Sequence, residues 1–292
     1  MKAIHGSEMR RPNSGAPMLL LFSTLILAPS KLIAQERHFT PPALAMPLHT
    51  QKNQLHASAG VGRGSDLALS YAFSNHMAVF ATGIRNSGRA RRMTLLGGML
   101  GGGPTFYEQD DWAYTGGIGY FWKPGTNSPR LFETYIGAGR FFVGNYRHAG
   151  KRGGYFSSRT KTNYSSLFWQ FSNSRKMNKF EIAYGARLSY SNYDDLYFEN
   201  DGGMYKPTVA KGLWGINIDP VASCSYLWHD FKLNGQAGFS LPVFEAAAEE
   251  TRTEYYLGEE IVTTESAKYA LGALLVRLSV QYTLNFSPRV TQ

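Results

Sequence analysis

The chain has 292 residues, 14% of them aromatic and only 17% charged, with 31 glycines. This mixture is poor in helix formers and rich in strand and turn formers, so the expected class is all-β. Cys224 is the only cysteine, which excludes an intramolecular disulfide framework.

Lys2, Arg10 and Arg11 precede an apolar run over residues 18–28 that stops at Pro29 and is followed by Ile33, Ala34 and Gln35. That is the layout of a secretory signal peptide, with cleavage expected after Ala34 (residues 1–34). The run is too short for a spanning helix, which needs about 20 residues. No later stretch approaches 18 uninterrupted apolar residues, so a helical membrane protein is excluded, and no cysteine follows the run to serve as a lipoprotein acylation site. Without residues 1–34 the formal charge of +9 becomes +6, from 26 basic and 20 acidic residues.

Residues 35–53 carry Pro41, Pro42 and Pro47 without periodicity and are expected to form an extended periplasmic lead-in. Period-two alternation then begins and predicts a barrel over residues 54–286. Leu55, Ala57, Ala59 and Val61, then Leu67, Leu69, Tyr71 and Phe73, mark two strands around a tight turn. A third runs over about 76–85, and a fourth aligns Trp112, Tyr114, Gly116, Ile118 and Tyr120. The fifth sets Phe132, Thr134, Ile136 and Ala138 against Glu133, Tyr135, Gly137 and Gly139; a weaker sixth covers 164–172. In the seventh, Phe180, Ile182, Tyr184, Ala186, Leu188 and Tyr190 oppose Glu181, Ala183, Gly185, Arg187 and Ser189. The eighth covers about 216–228 and the ninth 231–241. The tenth, extended back to about Tyr269, alternates without a break through Val276, Leu278, Val280, Tyr282, Leu284 and Phe286. Residues 287–292 form a tail.

The gaps alternate in length. They are short after strands two, four, six and eight, and long over about 86–111, 144–163, 192–211 and 243–268. Short turns at one end and long loops at the other are the habit of transmembrane antiparallel up-and-down β-barrels, and an even strand number puts both termini on the short-turn side, in the periplasm. About ten strands are expected, eight and twelve being the neighbouring even numbers. The polar face is mostly Gly, Ala, Ser and Thr, which suits a crowded lumen; the apolar face is then turned to lipid. Trp112, Trp122, Trp169, Trp214 and Trp228 are read near strand ends, as an interfacial girdle requires.

In its first hairpin (Tyr71, Ala72, Phe73, then His76), in Gly117, Gly119, Tyr120 and Phe121, in Glu133 and its alternating neighbours to Gly139, in Gln170 and Arg187, in Asp219 and Pro220, and in the terminal strand, the chain resembles the small outer-membrane β-barrel proteins of the Bacteroidetes type. The resemblance implies fold and an outer-membrane location rather than an activity. It also makes the last strand similar to the signal read by the barrel-assembly machinery, although this chain runs six residues past Phe286.

Glu133, Glu181, Arg187 and Arg277 fall on the inward face and are expected to pair as a lumen salt-bridge network, since an unpaired buried ion costs several kcal/mol. A selectivity filter in a narrow channel for small solutes is the alternative, although ten strands suggest a narrow or closed lumen. Arg147, Lys151, Arg152, Arg159 and Lys161 make one long loop basic, suited to lipopolysaccharide phosphates. Arg89, Arg91 and Arg92 make another basic, whereas the last loop is acidic. Positive charge confined to separate loops without a stacking platform argues against nucleic acid. Neither Asp110 with Asp111 nor Asp194 with Asp195 has a calcium-loop layout, so these are read as solvated loop carboxylates and no metal or cofactor is expected. His56, His76, His148 and His229 show no local catalytic spacing; a lipid-modifying enzyme is the remote reading, a soluble periplasmic β-protein another, and the expectation is a non-catalytic structural or binding barrel. Cys224 is expected as an inert buried thiol.

Overall fold

The computed structural model describes residues 39–92, 105–125, 128–151, 154–200, 208–256, 259–269 and 271–286. The expected signal peptide at 1–34 and the tail at 287–292 lie outside the described residues.

The strands are β1 Gln54–Val61, β2 Ser65–Ala72, β3 Met77–Arg92, β4 Thr105–Trp122, β5 Arg130–Lys151, β6 Gly154–Met177, β7 Phe180–Asn200, β8 Thr208–Lys211, β9 Trp214–Trp228, β10 Phe231–Pro242, β11 Ala246–Tyr256, β12 Glu259–Tyr269 and β13 Ala273–Asn285. Ten of them close a ring of antiparallel neighbours: β1 to β7 in sequence, then β9, β10 and β13, which returns to β1. Leu284 sits opposite Leu55 and Leu278 opposite Val61 in the closing pair. The second seam joins β7 to β9, from Phe180 opposite Tyr226 to Asn192 opposite Trp214. A closed ring leaves no unpaired edge in its wall, which is the requirement for a sheet surrounded by hydrocarbon.

The short connections match the expected ones. Two are tight turns whose first residue adopts a left-handed backbone, Asn178 (φ 53°) and His229 (φ 55°), as the twist of a hairpin favours. The long connections differ from expectation. They are largely strand, not loop: β3 and β4 remain paired out to Arg92 opposite Thr105, and β5 and β6 out to Lys151 opposite Gly154. β5 and β6, at 22 and 24 residues, are about twice the roughly 9 to 11 that cross a bilayer. β8 adds to the far end of β7, and β11 pairs with both β8 and β12, so the same sheet continues beyond the ring as a three-strand extension. The last ring strand therefore begins at Ala273, and Tyr269 ends β12 instead. Ladder hydrogen bonds are made by the backbone, and over these extensions mostly polar or small side chains on both faces leave no apolar alternation to mark a strand.

Side-chain parity follows the sequence. Val276, Leu278, Val280, Leu284 and Phe286 are 48%, 60%, 48%, 37% and 60% exposed on the outside, and Tyr282 is half-buried there. A bulge in β6 and β7, where Tyr164 faces Tyr193 but Thr162 faces Leu196, resets the parity so that Leu196 still points inward. Glycines on the inner face make room for rings: a Cβ on Gly119 would strike Tyr135, and one on Gly137 would strike Phe168.

Two aromatic groups ring the outside. At the turn end, Trp122 stacks on Phe132 (5.3 Å) and approaches Phe171, while Trp228, Phe231 and Tyr282 form a chain of contacts. Near the hairpin end, Trp112 stacks on Phe142 at 3.6 Å and Trp214 lies between Tyr190 and Phe244. Trp112 and Trp122 are ten residues apart on β4, about 33 Å along a strand, or about 25 Å along the axis at the usual tilt. Trp169 is the exception to the expected girdle: it sits in mid-strand, between Ile136 and Leu188.

Candidate functional site

Residues 39–50 form neither helix nor strand, as expected of the lead-in, but they lie inside the barrel rather than outside it. Pro41, Pro42 and Pro47 are buried with Leu44 (1% exposed) and His49 (0%). The reason is chemical. Prolines cannot join a ladder, so this backbone reaches its partners through wall side chains.

From the hairpin end downward, the Thr40 N–H donates to the Tyr164 hydroxyl (3.1 Å) and Arg187 Nη2 donates to the Pro42 carbonyl (2.9 Å). Gln236 donates to the Leu44 carbonyl (3.2 Å), Gln170 to that of Ala45, and Gln281 to that of Pro47 (3.3 Å). Glu133 then accepts both the Leu48 N–H (3.1 Å) and the His49 N–H (2.8 Å), while His49 Nε2 meets Ser70 Oγ at 2.6 Å. The Thr50 N–H ends on Gln54 Oε1 (2.8 Å). Six ring strands thus hold one main chain, β1, β5, β6, β7, β10 and β13, and β2 adds the Ser70 contact to the His49 side chain.

The segment's side chains serve two apolar layers. Phe39 joins Phe141, Tyr164, Tyr193, Leu196, Leu213 and Leu271 at the hairpin end. Leu44, Met46 and Leu48 pack with Phe80, Phe121, Leu131, Tyr135 and Phe168 toward the turn end. The chain reverses into β1 through two left-handed residues, Leu48 (φ 61°) and Asn53 (φ 60°). For Leu48 that conformation costs about 1 to 2 kcal/mol, which the Glu133 clamp on the two successive N–H groups offsets.

All of the predicted lumen charges are held, but not by one another. Arg187 pairs with Asp219 at 2.7 Å, 5% and 0% exposed, and Asp219 also accepts from Ser240. Arg277 makes a forked pair with Asp66 and donates to Ser58. Glu181 pairs with Lys232 at 2.7 Å and accepts from Ser174. Glu133 takes backbone N–H groups and the Tyr135 hydroxyl instead of a cation. The expected single network is therefore four separate stations. Each ion pair joins two different strands, β7 to β9, β7 to β10 and β13 to β2, and residues 39–50 occupy the lumen between them.

Sequence reading missed Asp66 and Lys232 as partners and Gln236 and Gln281 as holders of the segment. Their parity was visible: Gln236 shares the inward face of β10 with Lys232 and Asn234, and Gln281 that of β13 with Ser279. An amide among small residues, without a charge, carried no signal of what it would bond.

Of the basic loop, Arg159 and Lys161 are exposed on β6, on the same outer face as Asn163, and they border a groove with Glu108, Asp110, Phe142, Tyr146 and Glu199. Arg147 and Lys151 lie on β5, and Arg152 lies outside the described residues. The aspartate pairs are divided by strand geometry. Asp110 points out to Arg85 at 2.5 Å, whereas Asp111 is 5% exposed and accepts from Asn86 and the Gly144 N–H, so it is not a solvated loop carboxylate. Asp194 pairs with Arg140, and Asp195 accepts from Tyr197. Cys224 shares the outer face with Ala222 and Tyr226 and is exposed there rather than buried.

No protein-family profile and no curated protein matches the sequence, so the Bacteroidetes-type resemblance gains no family assignment. Among solved structures, the chain is similar to the translocator domain of the autotransporter NalP from Neisseria meningitidis, with 11% identity, a TM-score of 0.39, and coverage of 92% of this chain and 97% of that one.

Proposed function

We propose that this chain is an integral outer-membrane barrel, closed by its own N-terminal segment, that presents long charged hairpins at the cell surface in a structural or binding role and without catalysis. One observation carries the reading: a closed ring of strands whose outside is apolar between two aromatic belts. Leu67, Ile136, Leu167 and Leu278 are 60% or more exposed, each on a different strand. A soluble protein rarely leaves so continuous an apolar surface in water, whereas a bilayer requires it.

In this reading the short turns face the periplasm and the hairpins face outward. The terminal strand, from Val276 to Phe286 at alternate positions, is the element offered to the barrel-assembly machinery. Arg159 and Lys161 stand hairpin-ward of the belt formed by Trp112 and Phe142, at the level of lipid headgroups, and are suited to the phosphates of lipopolysaccharide.

Heat-modifiable migration on a denaturing gel, together with a requirement for detergent in extraction, is the expected behaviour. Release from the cell envelope without detergent would overturn the membrane placement. In planar bilayers the full chain is expected to give no discrete current steps, because residues 39–50 fill the lumen; regular steps would favour the solute channel.

A further inference from the structure

The wall of the lumen treats residues 39–50 as a ligand. Its side chains bond mainly to main-chain groups: Arg187, Gln170, Gln236 and Gln281 to carbonyls, Glu133, Tyr164 and Gln54 to N–H groups. The segment contributes no strand pairing, and the ten-strand ring closes without it. Beside these polar groups, in part on the same strands, Phe80, Phe121, Tyr135 and Phe168 offer an apolar surface to Leu44, Met46 and Leu48. Further inward-facing polar atoms have no partner, among them Gln236 Oε1, Asn234 Oδ1 and Ser172 Oγ, so the polar wall holds more bonding capacity than this segment uses.

We propose that the lumen is a receptor site for an extended, proline-containing peptide of about 12 residues with apolar side chains along one side, and that residues 39–50 are its resident, displaceable occupant. The inference is independent of which side of a membrane each end faces, and it rests on the closed barrel alone. Recognition through carbonyls and N–H groups is tolerant of sequence, while the apolar layer selects side-chain size at Leu44, Met46 and Leu48. A proline at positions matching Pro41, Pro42 and Pro47 removes N–H groups that would otherwise need a buried acceptor. The left-handed turn at Leu48 and Asn53 is where a departing segment pivots.

The test uses the full chain with a site-specific protease sequence inserted between Gln51 and Lys52, both exposed, cut only after folding. The probe is a fluorescent synthetic peptide of residues 39–50. The cut barrel should take up the probe and release its own segment, while the uncut barrel takes up none. Combining Gln170→Ala with Gln236→Ala should weaken uptake on the order of tenfold, because two hydrogen bonds to the peptide are lost. A probe with Leu44 and Met46 both replaced by Ser should bind more weakly than the parent, whereas one carrying Ala43→Ser alone should bind as well.

Two results would overturn the proposal: a cut, still heat-modifiable barrel that never exchanges its segment, or uptake that is unaffected by the glutamine replacements. An unrelated proline-rich extended peptide separates the two sources of ligand. Competition by it supports a site open to partner chains, and its failure limits the site to this chain's own segment. Failure of the membrane reading looks different: the protein would exchange the probe but need no detergent.

Discussion

Glu133, on the inner face of β5, accepts the backbone N–H of His49 at 2.8 Å, across 84 positions of sequence, and so fastens the base of the luminal segment to the wall. The same carboxylate takes the N–H of Leu48, whose left-handed backbone it holds. Glu133→Ala should leave two buried N–H groups without an acceptor, at about 1 to 3 kcal/mol each. Amide hydrogen exchange at Leu48 and His49 should accelerate at least about tenfold, with the β5 and β6 amides unchanged. Unaltered exchange at those two amides would show that Glu133 is not the clamp.

Among the described residues, Arg187 and Asp219 make the most buried ion pair, and Arg187 also reaches the Pro42 carbonyl. Removing one charge strands the other. Arg187→Met or Asp219→Asn alone should lower unfolding free energy by about 3 to 5 kcal/mol, and the double variant should cost much less than the two singles combined. Urea unfolding in detergent measures it, and simple additivity would contradict the coupling.

Leu278 in the ring and Ile261 on β12 are both exposed, at 60% and 47%. Only Leu278 lies in the proposed hydrocarbon band. Leu278→Arg should destabilise the lipid-embedded barrel by about 2 to 4 kcal/mol, while Ile261→Arg should change stability by less than about 0.5 kcal/mol. Equal, small effects would place both residues in water.

Cys224 sits on the outer face of β9 between Trp214 and Trp228. In lipid it should react slowly with a charged, water-soluble maleimide, because a charged reagent does not enter hydrocarbon. A lipid-soluble maleimide should label it readily. Rapid labelling of membrane-inserted protein by the charged reagent would contradict the proposed placement.

The ring strands were legible because period-two alternation survives translation into a barrel directly: one face outside, one inside, as along β13 from Leu274 to Leu284. Turn positions were legible too, since Asn178 and His229 punctuate the alternation. The hairpin extensions were not. Over Asn86 to Arg92 and Thr208 to Lys211 both faces are polar or small, and alternation has nothing to contrast. The lumen charges were placed on the correct face but given the wrong partners, because strand parity fixes direction and says nothing about height around a tilted ring.

The sequence by itself determined the class, the strand parity, the alternation of short and long connections, and an outside rich in apolar and aromatic side chains; these depend on neighbours two residues apart. The closing register, the pairing of Arg187 with Asp219 and Arg277 with Asp66, and the place of residues 39–50 were decided only by tertiary structure. A proline-rich segment carries the same local pattern whether it hangs free or fills a barrel. Its destination depends on Gln170, Gln236, Gln281 and Glu133, which lie between 84 and 234 positions away from the main-chain groups they bind and meet only when the ring closes.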